Sequence, residues 1–191
     1  SEWKITNVPF ENKFTDVTEK DWFHDVVLEL AASGVVNGMT ETTFEPQGTL
    51  TRAEFATMLY RVSYAPVVTG KSTYSDVKTG DWYYNAVVWA TEAGVVNGMG
   101  DGTFAPNDNI TRQEMATMLY RLAKAEKVEE DKLASFPDAE SVADWAKDAM
   151  NWAVSTEIVN GSTHDDKVNY LDPTATALRC QAAAVACRYL A

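Results

Sequence analysis

The hexapeptide Gly34-Val35-Val36-Asn37-Gly38-Met39 returns unchanged as Gly94-Val95-Val96-Asn97-Gly98-Met99, 60 positions further along the chain. The same interval separates Asp16-Val17 from Asp76-Val77, Asp21-Trp22 from Asp81-Trp82, and Thr51-Arg52 from Thr111-Arg112. It also separates Ala56-Thr57-Met58-Leu59-Tyr60-Arg61 from Ala116-Thr117-Met118-Leu119-Tyr120-Arg121. A constant offset across so many motifs marks a duplicated structural unit. A third copy is more divergent: Asp138, Asp144-Trp145, Ile158-Val159-Asn160-Gly161, Pro173 and Arg179 hold the matching places. Its offset from the second copy grows from 63 at the Asn-Gly pair to 67 at the arginine. About four extra residues therefore fall in its loop, around His164-Asp165-Asp166-Lys167.

Each copy reads as helix, loop, helix. The first helix is predicted to start at Asp21, Asp81 or Asp144, an N-cap residue directly before a tryptophan. Trp22, Val26 and Leu30 then form one apolar stripe, matched by Trp82, Ala86 and Ala90 and by Trp145, Ala149 and Ala153. Gly34 and Gly94 sit where a left-handed C-cap is expected, while the third copy has Glu157 there and needs a different ending. Thr51-Arg52-Ala53-Glu54 and Thr111-Arg112-Gln113-Glu114 are capping boxes that open the second helix. Behind them Phe55, Met58, Leu59 and Val62 make a core-facing stripe, matched by Met115, Met118, Leu119 and Leu122, then Ala182, Val185, Ala186 and Tyr189. A lone two-helix unit cannot bury such stripes, so the copies must pack together. The expected fold class is all-α: three helix-loop-helix repeats, which suggest an arrangement around a pseudo-threefold axis. A short solenoid satisfies the same pattern. The repeats span about 14–65, 74–125 and 136–191 of a single module over 1–191, joined by linkers at 65–70 and 126–131.

Bulk composition narrows the function. The 191 residues are 46% hydrophobic and 23% charged, enough apolar content for a buried core. Acids outnumber bases 28 to 16, for a net charge of −12. Such a chain repels phosphate backbones, so nucleic acid is excluded as a partner. No apolar run is long enough to span a bilayer, and membrane insertion is not expected. Ser1-Glu2-Trp3 lacks the charged-then-apolar pattern of a secretory signal, so an exported protein would carry its signal outside this chain. Cys180 and Cys187, seven apart on a predicted helix, lie too far apart along the axis for a disulfide and read as small apolar side chains. No nucleophile, base or carboxylate pair is placed once at a site, so no catalytic residues and no cofactor are expected. The acidic turns Asp101-Gly102 and Asp165-Asp166 lack the alternating ligands of a calcium loop, and no metal site is expected.

Taken in order, Asp-Val, Asp-Trp, Gly-Val-Val-Asn-Gly and Thr-Arg-Ala-Glu resemble the S-layer homology repeat, and the likeness runs from about Phe14 to Leu190. The resemblance implies a non-catalytic module at the extracellular surface of a bacterium. Such modules anchor exported proteins non-covalently to secondary cell-wall polysaccharides, typically ones with a pyruvate ketal on N-acetylmannosamine. The resemblance further implies a pseudo-threefold spindle around a central helical bundle, and inter-repeat grooves of this monomeric pseudo-trimer would hold the sugar. The alternative is a structural or self-assembly unit of a surface layer without its own glycan site.

The resemblance carries the ligand-contacting arginine to Arg52, Arg112 and, on a weaker motif, Arg179. It carries the aspartate at the repeat start to Asp16, Asp76 and Asp138, and the glycine-bearing loop to Asn37-Gly38, Asn97-Gly98 and Asn160-Gly161. Met39, Thr40, Met99 and Gly100 would line the grooves beside them. Guanidinium suits a pyruvate carboxylate because it offers two parallel charge-assisted hydrogen bonds, which lysine does not. An arginine at the first helical position also adjoins unpaired backbone N–H groups and the positive end of the helix dipole. The aspartates and Asn-Gly pairs have a structural reading as turn formers. Trp22, Trp82 and Trp145 lie on the apolar stripe and are expected to be core anchors, whereas Trp89 and Trp152 lie off it and are groove candidates. His24 and His164 have no recurring partner and read as surface or local packing. The eroded third-repeat motifs predict a weak groove there, and little effect from mutating Arg179.

Overall fold

The computed structural model describes residues 11–191, so the reading of Ser1-Glu2-Trp3 lies outside the described residues. Six α-helices carry the fold: α1 (His24–Ala32), α2 (Arg52–Val62), α3 (Tyr84–Glu92), α4 (Arg112–Leu122), α5 (Lys147–Ser155) and α6 (Arg179–Leu190). Short 3-10 turns precede α5, and the extra loop residues of the third repeat form a two-stranded antiparallel ribbon, β1 (Ser162–Thr163) and β2 (Asn169–Tyr170). Helices of 9 to 12 residues are marginal alone, so tertiary packing must hold them.

That packing is cyclic. Each second helix lies against the first helix of the next repeat, α2 on α3 and α4 on α5, and α6 returns to α1. Return of the last helix to the first makes a closed ring and rules out an open solenoid. Backbone hydrogen bonds repeat the cycle at the centre: Ile110 N–H donates to Leu50 O (2.9 Å), Leu50 N–H to Ala177 O (3.2 Å), and Ala177 N–H to Ile110 O (2.9 Å).

The second helices form as the motifs predict. Thr51 and Thr111 accept from Glu54 and Glu114 backbone N–H, and each glutamate returns the bond. In α6 a leucine stands at the cap position and offers no acceptor, so only Gln181 Oε1 accepting Leu178 N–H (3.1 Å) remains of the box. Phe55, Met58, Leu59 and Val62 are buried, as are Met115, Met118 and Leu119, and Ala182, Val185 and Ala186. Cys180 is buried and Cys187 partly so, both as free thiols; burial pushes the Cys180 thiol up to about 11.

First helices begin later than expected. Asp21 accepts Thr18 N–H (2.7 Å) and Asp81 accepts Lys78 N–H (2.7 Å), so each carboxylate closes the turn before it instead of capping the helix after it. Asp144 pairs with Lys147 at 2.8 Å. The turn moves the start of the stripe by one residue: Phe23, Tyr83 and Ala146 enter the core in place of the tryptophans, joined by Val27, Val87 and Met150. The predicted Leu30, Ala86, Ala90, Ala149 and Ala153 are buried as expected, and Val26 is half-buried. Trp22, Trp82 and Trp145 are therefore 61%, 65% and 58% exposed and anchor no core.

Helix endings hold a second difference. Gly34 and Gly94 take the left-handed conformation, with φ of 74° and 72°. Glu157 takes it too, at φ 59°, so the third ending is built the same way on a residue with a Cβ. A non-glycine residue there costs about 1 kcal/mol. Glu157→Gly should therefore raise the Tm by about 2–4 °C in a calorimetric scan. An unchanged or lower Tm would show that this position carries no strain.

Three clefts between repeats as candidate functional site

The arginine that opens each second helix reaches across to the next repeat in the ring. Arg52 Nε donates to Phe104 O (2.9 Å), Arg112 Nε to Leu171 O (2.8 Å), and Arg179 Nε to Phe44 O (2.8 Å). The three residues are 7%, 8% and 8% exposed. Each receiving carbonyl sits in a loop held by the predicted aspartate. Asp16 accepts the N–H groups of Phe44 (2.8 Å) and Glu45 (2.7 Å). Asp76 accepts those of Phe104 and Ala105, and Asp138 those of Leu171 and Asp172, all at 2.8–2.9 Å. Both carboxylate oxygens are used, and the held residues Glu45, Ala105 and Asp172 have φ of 58°, 55° and 50°. These aspartates shape the loop that positions the arginine and line none of the clefts.

Each guanidinium opens into a cleft with contributions from all three repeats. Arg52 shares its cleft, of about 330 Å³, with Asn97, Gly98, Met99, Glu114, Arg121 and Trp145. Arg112 shares one of about 320 Å³ with Asn160, Gly161, Ser162, Gln181, Arg188 and Trp22. Arg179 shares one of about 170 Å³ with Asn37, Gly38, Met39, Glu54, Arg61 and Trp82. A cationic floor, a polar loop edge and an exposed indole face one another in every cleft. Such a set recognises a polar ring that carries an acid group.

The electrostatics of the floors differ. Arg52 Nη1 lies 2.6 Å from Glu114 Oε1, and Arg179 Nη1 lies 3.4 Å from Glu54 Oε1 and donates through Nη2 to Asn37 O at 2.9 Å. Arg112 has no such ion pair among the described residues. Burial lowers the pKa of Arg112, with Asp172 and Asp138 opposing the shift, and burial likewise lowers that of Arg179. Both guanidiniums stay charged at any physiological pH.

Comparison with known proteins fits this architecture. The S-layer homology domain family matches the chain at residues 13–56, 73–116 and 135–165. The chain belongs to that family. Over 179 residues it is 38% identical to an amylopullulanase of Thermoanaerobacterium thermosulfurigenes, covering 92% of this chain and 9% of the relative. It is 34% identical over 155 residues to the surface-layer 125 kDa protein of Lysinibacillus sphaericus, covering 81% of this chain and 13% of the relative. Among solved structures, an undecaheme cytochrome from the S-layer of Carboxydothermus ferrireducens aligns with a TM-score of 0.40 and 22% identity, covering 82% of this chain and 22% of that one. The chain spans less than a fifth of the length of these two curated relatives. S-layer homology domains are non-catalytic modules that anchor S-layer proteins and surface enzymes to the cell wall. The third match stops at residue 165, ahead of the third capping motif that has lost its Thr and Glu.

Several expectations for the S-layer homology residues change. Asn37, Gly38, Met39, Asn97, Gly98 and Met99 line these clefts, while Thr40 and Gly100 lie outside them. Gly98 is required by its own loop, since a Cβ there would sit 2.4 Å from the Tyr74 ring and 2.7 Å from Thr103 O. Trp89 and Trp152 line none of these three clefts. They pack on Tyr60 and Tyr120, with ring centroids 5.6 and 5.7 Å apart, in the seams between repeats. The three exposed tryptophans take the cleft positions instead. Backbone N–H groups at the starts of the second helices are also taken: Arg52 N–H donates to Asp108 O, Arg112 N–H to Ala175 O, and Arg179 N–H to Gly48 O, each within 3.0 Å. The next residue of each helix donates to Pro106, Pro173 or Pro46. Those helix starts thus offer no free pair of donors to an anion.

Sequence reasoning missed a second arginine. Arg61, Arg121 and Arg188 each follow the first arginine by nine residues, line the clefts, and donate to Val35, Val95 and Ile158 carbonyls. Their recurrence in all three copies was the available signal. His164 stacks on Tyr170 at 4.4 Å and pairs with Asp172 at 2.8 Å, a bond that raises its pKa.

Proposed function

We propose that the module holds an acidic secondary cell-wall polysaccharide in these clefts, with the acid group on a helix-start guanidinium and the sugar ring on the facing indole. A pyruvate ketal on N-acetylmannosamine is the ligand that fits best. Its carboxylate is rigidly fixed to the ring, so one contact orients the other. One observation carries the reading: an arginine over nine-tenths buried as a residue, anchored through Nε, presents its guanidinium to the same cleft as a majority-exposed tryptophan. The Nη atoms that Arg112 leaves unpaired are not fully buried, so they stay within reach of an arriving carboxylate. The net charge of −12 opposes a polyanion at long range, so attraction must come from these local sites. Closure of the ring by α6 on α1 supports a monomer, since no repeat end is left unpaired.

Retention on purified cell walls tests the proposal. The protein should sediment with walls carrying pyruvylated polymer and remain in solution once mild acid has removed the ketals. Equal sedimentation with both preparations would refute it, and sedimentation without walls would point to self-assembly. Trp22→Ala should lower affinity for the acidic sugar by about three- to tenfold at its cleft, since ring contacts are worth about 0.5–1.5 kcal/mol. It should leave the Tm almost unchanged because Trp22 is largely exposed.

A further inference from the structure

The residue at position 181 makes the three clefts unequal. In the first two repeats the capping glutamate serves two partners. Glu114 Oε2 accepts Thr111 N–H at 2.8 Å while its Oε1 takes Arg52 at 2.6 Å. Glu54 Oε2 accepts Thr51 N–H at 2.7 Å while its Oε1 faces Arg179 at 3.4 Å. In α6 this place holds Gln181, whose Oε1 accepts Leu178 N–H and whose amide nitrogen carries no charge toward Arg112.

The Arg112 side chain consequently makes one hydrogen bond among the described residues, from Nε to Leu171 O, although only 8% of the residue is exposed. It also lacks an aromatic bed. Arg52 lies 5.0 Å from the Phe104 ring centre and Arg179 lies 4.8 Å from that of Phe44, whereas the third repeat has Leu171 there. Charges lining the clefts follow suit. Arg112 and Arg188 share a cleft with no carboxylate, while each of the other two sets a glutamate against its two arginines. The nearest carboxylates behind Arg112 are Asp138, which holds two backbone N–H groups, and Asp172, which pairs with His164.

We infer that the Arg112 cleft is the principal anion site of the module and that Gln181 is the residue that makes it so; this rests on the function proposed above. A carboxylate arriving at Arg52 or Arg179 meets a resident glutamate that it must displace or crowd. At Arg112 it meets two guanidiniums and an amide donor. Like charges within hydrogen-bonding distance of one guanidinium repel strongly enough at reduced dielectric to change affinity about tenfold. The cleft edged by the eroded third-repeat loop thus ranks first, while Arg179 stays behind Arg112 as motif erosion predicts: losing the capping glutamate weakens the helix start and strengthens the site.

NMR titration reads the clefts separately, with the indole N–H of Trp22 and the amide of Gly161 reporting on Arg112. Trp145 and Gly98 report on Arg52, and Trp82 and Gly38 on Arg179. With pyruvylated N-acetylmannosamine as probe, the Arg112 reporters should saturate at about tenfold lower concentration than the others. Gln181→Glu should erase that lead, and Glu114→Gln should bring the Arg52 reporters close to it. Both variants should fold, because each side chain already serves this position elsewhere in the ring. Simultaneous saturation of all reporters, or a Gln181→Glu variant with an unmoved Arg112 response, would overturn the inference while leaving acid recognition standing. Identical titrations with the non-pyruvylated sugar would instead sink the proposed function, and the ranking with it.

Discussion

Asp76→Ala is expected to lower the unfolding free energy by about 3 kcal/mol, and the Tm by about 6–12 °C, although residue 76 lines no cleft. Its two oxygens accept the N–H groups of Phe104 and Ala105 at 2.9 and 2.8 Å. Ala105 sits at φ 55°, a conformation that a residue with a Cβ holds only when its surroundings impose it. Alanine would leave two part-buried donors unpaired and release the loop. The damage should then pass to the site, because the Phe104 carbonyl fixes Arg52 Nε. Asp76→Asn retains one acceptor and should cost about half as much. Urea unfolding measures both variants; a loss below about 1 kcal/mol for alanine would mean that the loop is held by something else.

Arg112→Lys is the second large effect, and it falls on binding. Affinity for the acidic sugar at that cleft should drop about thirtyfold, and Arg112→Ala should cost about a hundredfold. Lysine keeps the charge but loses the planar fork and the Nε bond to Leu171 O, so the cation is neither bidentate nor held in place. Stability should fall by only about 1 kcal/mol, the worth of that one hydrogen bond. Arg52→Lys should matter several-fold less, because the Arg52 fork is already partly engaged by Glu114. Equal losses for the two substitutions would show that charge alone, without geometry, recognises the ligand.

Much of this architecture is written in short-range pattern. The 60-residue period, the Thr-x-x-Glu boxes and the spacing of Phe55, Met58, Leu59 and Val62 all act within one helix or one loop, and all appear in the structure. Features set by neighbouring repeats were not legible. Trp22 and Phe23 are adjacent and both apolar, and only the backward turn closed by Asp21 determines which one enters the core. Trp89 and Trp152 looked available for ligand because their partners, Tyr60 and Tyr120, belong to the preceding repeat. The helix-start N–H groups looked free because the carbonyls that take them arrive from another copy. Glu54 and Glu114 read as caps, and their second role as partners of Arg179 and Arg52 exists only once the ring has closed. The aspartates were readable either way, and the structure gives them the turn.

Calorimetry against synthetic pyruvylated N-acetylmannosamine and its non-pyruvylated twin tests acid recognition most directly. The wild-type module should bind the pyruvylated sugar at least tenfold more tightly, with most of that preference gone in Arg112→Lys. Equal affinity for the two sugars, or a preference that survives loss of the guanidinium, would contradict it.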